Sequence, residues 1–222
     1  MTDGRNPIVE LDALVCGYDD PLLGPLDMTV SRGVFVLIEG PNGIGKSTLI
    51  QTLVGLLDPL SGDYQWSVDP RSIRFVPQVR TLDPILPATV ADVVATGTQQ
   101  GGGLSGLRAT ADADAIRGAL RRVEMTDVAD HLFRELSEGQ KQLVLLARAL
   151  MGDADVLLLD EPTASMDPER EQRAFELLRR QMHSSDLTIF TVAHGSKHAH
   201  DAADKLLEID HDRHVTINPI SS

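Results

Sequence analysis

Val34-Phe35-Val36-Leu37-Ile38 runs through Glu39 into Gly40-Pro41-Asn42-Gly43-Ile44-Gly45-Lys46-Ser47-Thr48, after which Leu49, Ile50, Leu53, Val54, Leu56 and Leu57 recur at helical spacing. The uninterrupted apolar run suits a strand buried on both faces, and the periodic stretch suits a helix. The unit is therefore strand, glycine loop, helix. Gly40, Gly45, Lys46 and Ser47 fill every fixed position of the phosphate-binding loop pattern. Glycines let backbone amides turn inward on phosphate oxygens, the helix that follows presents its positive end, and a lysine adds a point charge. Ser47 is the expected magnesium ligand.

On the N-terminal side, Ile8 to Cys16 and Leu26 to Val30 read as short strands separated by a Gly/Asp/Pro-rich turn from Gly17 to Gly24. Beyond the glycine loop, Asp58-Pro59-Leu60-Ser61-Gly62 is expected to end the first helix. Tyr64 to Val68 and Ile73 to Val76 are the next predicted strands. Thr89 to Ala95 and Ala111 to Val123 are helical in pattern, flanking a glycine-rich stretch from Gly97 to Gly106, so residues 84–135 are expected to form a helical subdomain inserted into a single domain spanning 1–222. From Ser137 onward, helices and strands alternate: a helix carrying Leu143, Leu146, Ala147 and Leu150, a strand Val156 to Asp160, a helix Glu169 to Met182, and a strand Leu187 to Val192. A short helix, Ser196 to Ala203, precedes closing strands at Leu206 to Ile209 and Val215 to Ile217. The expected fold is α/β: a P-loop NTPase core with a mainly parallel sheet, an N-terminal antiparallel β part and the inserted α-helical subdomain.

Val156-Leu157-Leu158-Leu159-Asp160-Glu161 is an apolar strand ending in two carboxylates. Asp160 can hold a magnesium ion and Glu161 can take a proton from an attacking water. With the phosphate loop this specifies phosphoryl chemistry, common to kinases, GTPases and motors alike.

Leu136-Ser137-Glu138-Gly139-Gln140 opens a helix between Gln78 and that strand. With it in place the chain resembles the ATP-binding subunit of an ABC (ATP-binding cassette) transporter over nearly its whole length. The family's signature usually reads Leu-Ser-Gly-Gly-Gln, so Glu138 is a departure that leaves Ser137, Gly139 and Gln140 intact and alters local charge. The resemblance implies a nucleotide site made of Tyr18 stacking on adenine, residues 40–48 around the phosphates, and Gln78 reaching the γ-phosphate or magnesium. It also implies that His194, after Thr191-Val192-Ala193, contacts the γ-phosphate, and that Asp167 in Ser165-Met166-Asp167 crosses a dimer interface. Catalysis is then expected from Glu161, His194, Gln78 and Lys46, with ATP and Mg2+ bound and Ser47, Gln78 and Asp160 around the metal. The resemblance further implies a head-to-tail dimer in which Ser137, Gly139 and Gln140 of one copy act on the nucleotide of the other. A helix N-terminus is an anion site in its own right, and one chain offers no second triphosphate to fill it.

The 222 residues carry 20 Lys plus Arg against 33 Asp plus Glu, a net charge of -13 that opposes attraction to nucleic acid or anionic lipid. No apolar stretch approaches the roughly 18 to 20 residues of a membrane span, and no basic segment leads into an apolar one at the start. A cytoplasmic chain, peripheral at the membrane through separate integral membrane subunits, is expected. Cys16 is the single cysteine, which excludes an internal disulfide or a multi-thiolate zinc site. Arg74 to Gln78 followed by Leu86-Pro87-Ala88-Thr89-Val90-Ala91-Asp92-Val93-Val94 is similar to the family subgroup serving manganese, zinc or iron uptake. His198, His200, His211 and His214 read as solvated surface side chains, and Asp112, Asp114, Asp127 and Asp130 as a solvated acidic face. The expected function is ATP hydrolysis powering import of a metal cation. The alternative is an ATP-switched adaptor of an envelope complex that moves no small solute. A DNA-repair ATPase is excluded by the short interval between Gln78 and Leu136, and an inactive paralogue by Lys46, Asp160, Glu161 and His194.

Overall fold

The computed structural model describes residues 6–78, 87–98 and 112–220. Two sheets share the core. Strands β1 (Pro7–Gly17), β2 (Pro21–Ser31) and β4 (Ser61–Trp66) form a three-stranded antiparallel sheet in the order β2-β1-β4. Strands β3 (Phe35–Glu39), β5 (Ile73–Val76), β6 (Val156–Asp160), β7 (Thr188–Val192), β8 (Lys205–Ile209) and β9 (Val215–Pro219) form the second, in the order β5-β6-β7-β3-β8-β9. Its first five strands are parallel, and β9 returns antiparallel to β8 through a tight turn.

Period-two alternation explains why the parallel strands are apolar throughout. In β3, Phe35 and Leu37 join a cluster with Leu157, Leu159, Ile189 and the helices α4 (Glu138–Ala149) and α5 (Pro168–Ser185). Val36 and Ile38 point the other way, to Leu158, Phe190, Val192, the antiparallel sheet and α1 (Lys46–Leu53). Leu158 is fully buried on β6. Leu158→Ala should cost about 2–5 kcal/mol, a fall in Tm of roughly 4–20 °C for a chain of this size, read by calorimetry.

Two expectations of local structure change. The helix after the glycine loop ends at Leu53, one turn earlier than its apolar periodicity suggests. Gly55 adopts φ +77° and reverses the chain, leaving Leu56 exposed. Trp66 Nε1 donates to Leu53 O at 2.9 Å, so β4 satisfies a terminal carbonyl of α1. The Gly17–Gly24 segment is not all turn either. Only Tyr18 to Asp20 lie between strands, and β2 already starts at Pro21. As an outer strand β2 tolerates Pro21 and Pro25, whose missing N–H groups take no bond from a central ladder.

Helices α2 (Val90–Ala95) and α3 (Ala113–Arg122) fall within the predicted inserted segment and share the cluster of α4. Thr89 caps α2 in a reciprocal capping box with Asp92, and Asp112 caps α3 rather than merely facing solvent. Residues 84–86 and most of the Gly97 to Gly106 stretch lie outside the described residues.

Candidate active site

Parallel strands deliver their C-terminal ends to one edge of the sheet, where ligands of open α/β sheets bind. Gln78 follows β5, Asp160 and Glu161 close β6, His194 follows β7, and Gly40 follows β3. The sequence separates these residues widely, and the strand order brings them together.

The loop 40–45 turns through left-handed glycines, with φ +156° at Gly40, +75° at Gly43 and +114° at Gly45. A Cβ on Gly40 would lie 2.5 Å from Ile209 O, so the close approach of β8 requires glycine there, whereas Gly43 has nothing within 4 Å of that position. Pro41 and Asn42 carry the loop between them. Ile44 buries its side chain in the core and donates its amide to Pro41 O at 3.4 Å, which anchors the loop. Thr48 is buried one residue after Ser47.

Lys46 is only 5% exposed and donates to Gly40 O and Pro41 O, each at 2.8 Å. Burial pushes its pKa down, and the carboxylates of Glu161, Asp160 and Glu39 oppose that shift. The ammonium therefore lies in a partly desolvated cradle with three acidic neighbours. Burial pushes the Asp160 carboxyl up, with Glu161 adding to it, while Ser47, Lys46 and His194 favour its charged form. Ser47 Oγ donates to Asp160 Oδ1 at 2.9 Å, a pair of hard oxygen donors of the kind magnesium takes.

Glu161 has φ +49°, a left-handed conformation uncommon for a non-glycine residue and worth about 1–3 kcal/mol of strain. Both of its carboxylate oxygens are engaged. Gln78 Nε2 donates to Oε2 at 2.8 Å, and His194 Nε2 lies 3.2 Å from Oε1. The three side chains thus form one polar group beside Lys46, Ser47 and Asp160. Tyr18 projects from the β1–β2 turn, 59% exposed, with its hydroxyl donating to Gln51 of α1 at 3.3 Å. An exposed aromatic within reach of α1 can cover a planar base.

Ser137, Gly139 and Gln140 do not join this group. Ser137 caps α4, and its amide donates to Gln140 Oε1 at 3.0 Å while the Gln140 amide donates to Ser137 Oγ at 3.3 Å. Glu138 is paired with Lys141 at 3.0 Å, so its charge is partly offset within the same turn. Gly139 faces Ser165 O and Met166 Cγ, at 3.5 and 3.6 Å from a Cβ built there. Asp167 caps α5, accepting from the Arg170 amide at 3.0 Å. α1 packs on one face of the sheet and α4 on the other. Among the described residues no hydrogen bond or ion pair joins 137–140 to 40–48.

The histidine expectation holds at His214, which stays 76% exposed though tied to its own turn, and is corrected at His200. His214 Nδ1 lies 3.2 Å from Asp210 Oδ2, and Asp210 Oδ1 accepts the amides of Asp212 and His214. These bonds hold the Asp210 carboxyl below its usual range and close the β8–β9 turn. His200, on α6 (Lys197–Ala202), pairs with Glu39 at 2.9 Å. Sequence reasoning passed over Glu39, although a carboxylate placed directly before a phosphate loop was the available signal.

The ABC transporter family model matches residues 23–164. The chain is 36% identical over 217 residues to the manganese transport system ATP-binding protein MntB of Bacillus subtilis, covering 95% of this chain and 86% of that protein. It is 37% identical over 209 residues to the zinc import ATP-binding protein ZnuC of Marinobacter nauticus, covering 93% and 75% respectively. Among solved structures, a bacterial Atm1-family ABC exporter with ATP bound superposes with a TM-score of 0.80 at 26% identity, over 99% of this chain and 40% of the exporter chain.

Proposed function

Because the chain belongs to the ABC transporter family, as an ATP-binding subunit, we propose that it hydrolyses ATP to drive import of a metal cation of the manganese, zinc or iron class. The observation that carries the ATPase reading is the convergence of Lys46, Ser47, Asp160, Glu161, Gln78 and His194 at one sheet edge beside a glycine loop. The metal cargo is supported by the manganese and zinc systems of the two relatives, each matched over more than nine-tenths of this chain.

In this reading the loop amides and Lys46 hold the β- and γ-phosphates, and Lys46 exchanges its two backbone carbonyl partners for phosphate oxygens. Tyr18 stacks on the adenine. Ser47 and Asp160, with Gln78, would hold a magnesium ion. The ion, when bound, neutralises charge on the transferring phosphoryl group. Glu161 accepts the proton of the attacking water, and His194 contacts the γ-phosphate and orients Glu161. The uncovered N-terminus of α4, with Ser137, Gly139 and Gln140, completes the site of a second copy, and Asp167 lies at the same interface. Two copies enclosing two nucleotides would close on binding and separate after hydrolysis.

No helix among the described residues is long and apolar enough to cross a membrane. Transport therefore draws on integral membrane subunits in this reading, with the chain peripheral at the cytoplasmic face. Pull-down of the tagged Glu161→Gln chain from detergent-solubilised membranes of its source cell, with partners identified by mass, tests this. The expected partner is a protein with several membrane spans, and metal uptake should fall when either gene is deleted. Recovery of only soluble or single-span proteins would replace transport by the adaptor reading.

A further inference from the structure

We infer that Glu39 and His200 form a positioning pair that holds α6, and with it the turn carrying His194, against the strand that enters the phosphate loop. The inference rests on the reading of His194 as part of the ATPase site. β7 runs parallel to β3 with Ile38 opposite Val192, and Ala193 N donates to Ile38 O at 3.4 Å. From that last backbone tie the chain turns through His194 and Gly195, the latter at φ +57°, to the Ser196 cap of α6. His194 therefore stands on a short turn between two anchors. One anchor is the end of β7, and the other is a helix of six residues.

Ala199 and Ala202 bury one face of that helix, but small apolar side chains fix depth better than rotation. Asp204, just past the helix, ties to Phe35 of β3 through its amide and its carboxylate, and His200 adds direction nearer to His194. His200 Nε2 lies 2.9 Å from Glu39 Oε2 across 161 residues of sequence, and Glu39 is the residue directly before Gly40. The carboxylate has little alternative. Glu39 Oε1 is buried without a hydrogen-bond partner among the described residues, so His200 is the one side chain bonded to the group. A half-buried carboxylate with one oxygen already unsatisfied loses its remaining partner at a cost, which makes the pair act as a unit. Glu39 is also one of the three carboxylates that favour the charged form of Lys46. The pair thus touches both the strand that aims the phosphate loop and the helix that aims His194, without contacting a reacting atom.

The test is a double-mutant cycle on the full chain with Glu39→Ala, His200→Ala and the double variant, plus His200→Gln, whose amide nitrogen can still donate to Glu39. Hydrogen exchange is read at the amides of 194–200, and basal ATPase is read as kcat and KM. Each alanine variant should speed exchange at 194–200 by about tenfold while α1 keeps its protection. Each should also lower kcat by about 10- to 100-fold with KM for Mg-ATP within about twofold of native. The double variant should be no worse than either single one, and His200→Gln should restore most of kcat. Additive losses, unchanged exchange at 194–200, or a KM defect without a kcat defect would overturn the pair. Wild-type chain devoid of ATPase would instead overturn the reading of the site, while accelerated exchange in the variants would still uphold the contact.

Discussion

Glu161→Gln is expected to bind ATP at near-native affinity, to keep a nucleotide-dependent dimer and to lose about 10²- to 10⁴-fold in kcat, some 3–5 kcal/mol of barrier. The substitution preserves shape and removes only the basicity of the carboxylate. Gln78 and His194 hold both oxygens of Glu161, so the side chain is aimed by its neighbours and by the left-handed backbone at 161. An isosteric amide in that setting should keep its place. In the proposed site, phosphate would be held elsewhere, by the loop amides and by Lys46, whose contacts run to Gly40 and Pro41. Phosphate release under saturating Mg-ATP, fluorescent-nucleotide titration and sedimentation with and without ATP give the three readouts. Turnover within about threefold of native would remove Glu161 as the base, since general-base catalysis is worth far more than that.

The phosphate loop and the strand ending at Asp160 and Glu161 could be read directly, because their function imposes residue type at fixed local spacing. A tight turn on phosphate needs glycines, and a buried central strand needs an unbroken apolar run. The one-turn error at α1 and the late start assigned to β2 have a common origin. Apolar periodicity at Leu56 and Leu57 continued past a glycine that local conformation uses to stop the helix, and Pro21 read as part of the turn because its strand's outer position is a tertiary fact. Glu39 stood in view directly before the phosphate loop, but its pairing with His200 was unreadable for a deeper reason. Their contact depends on α6 lying beside β3, which follows from strand order and from no local pattern. The gathering of Gln78, Glu161 and His194 has the same tertiary basis, and only the family resemblance anticipated it.

Charge adds a constraint on how two copies would meet. With a net charge of -13, two chains repel at long range, and the repulsion weakens with salt. Bound triphosphates would add further negative charge to the interface, so the groups that face them must be polar donors and helix termini rather than more carboxylates. The α4 N-terminus meets that need in part, since Lys141 offsets Glu138 and the capping box keeps Ser137 and Gln140 in register. In the proposed dimer, closure on nucleotide would therefore depend on the integrity of that turn.

Mixing Lys46→Ala chains with Ser137→Arg chains should restore nucleotide trapping that neither variant shows alone. In a head-to-tail dimer of the two, one site combines the lysine-free loop with the arginine-bearing turn and is doubly defective. The other combines a native loop from the Ser137→Arg chain with a native turn from the Lys46→Ala chain and is intact. Lys46→Ala removes the buried ammonium that faces Asp160 and Glu161. Ser137→Arg deletes the cap of α4, at a cost of about 1 kcal/mol, and sets a bulky cation on a helix N-terminus, where the dipole disfavours it. The Ser137→Arg chain should melt within a few degrees of the native Tm, because Ser137 is solvent-exposed and the cap is one turn long. In a Glu161→Gln background, labelled ATP retained per purified mixed dimer should approach one, against about zero for either variant alone and two for the parent, as two-fold symmetry requires. A site built wholly within one chain makes the opposite demand. Each mixed dimer would then hold one chain without its lysine and one without its signature serine, and no site in it could retain nucleotide. The packing of α1 and α4 on opposite faces of the sheet, with no hydrogen bond or ion pair among the described residues joining Ser137 to the glycine loop, favours the shared arrangement. A count near zero in the mixed dimer would overturn it.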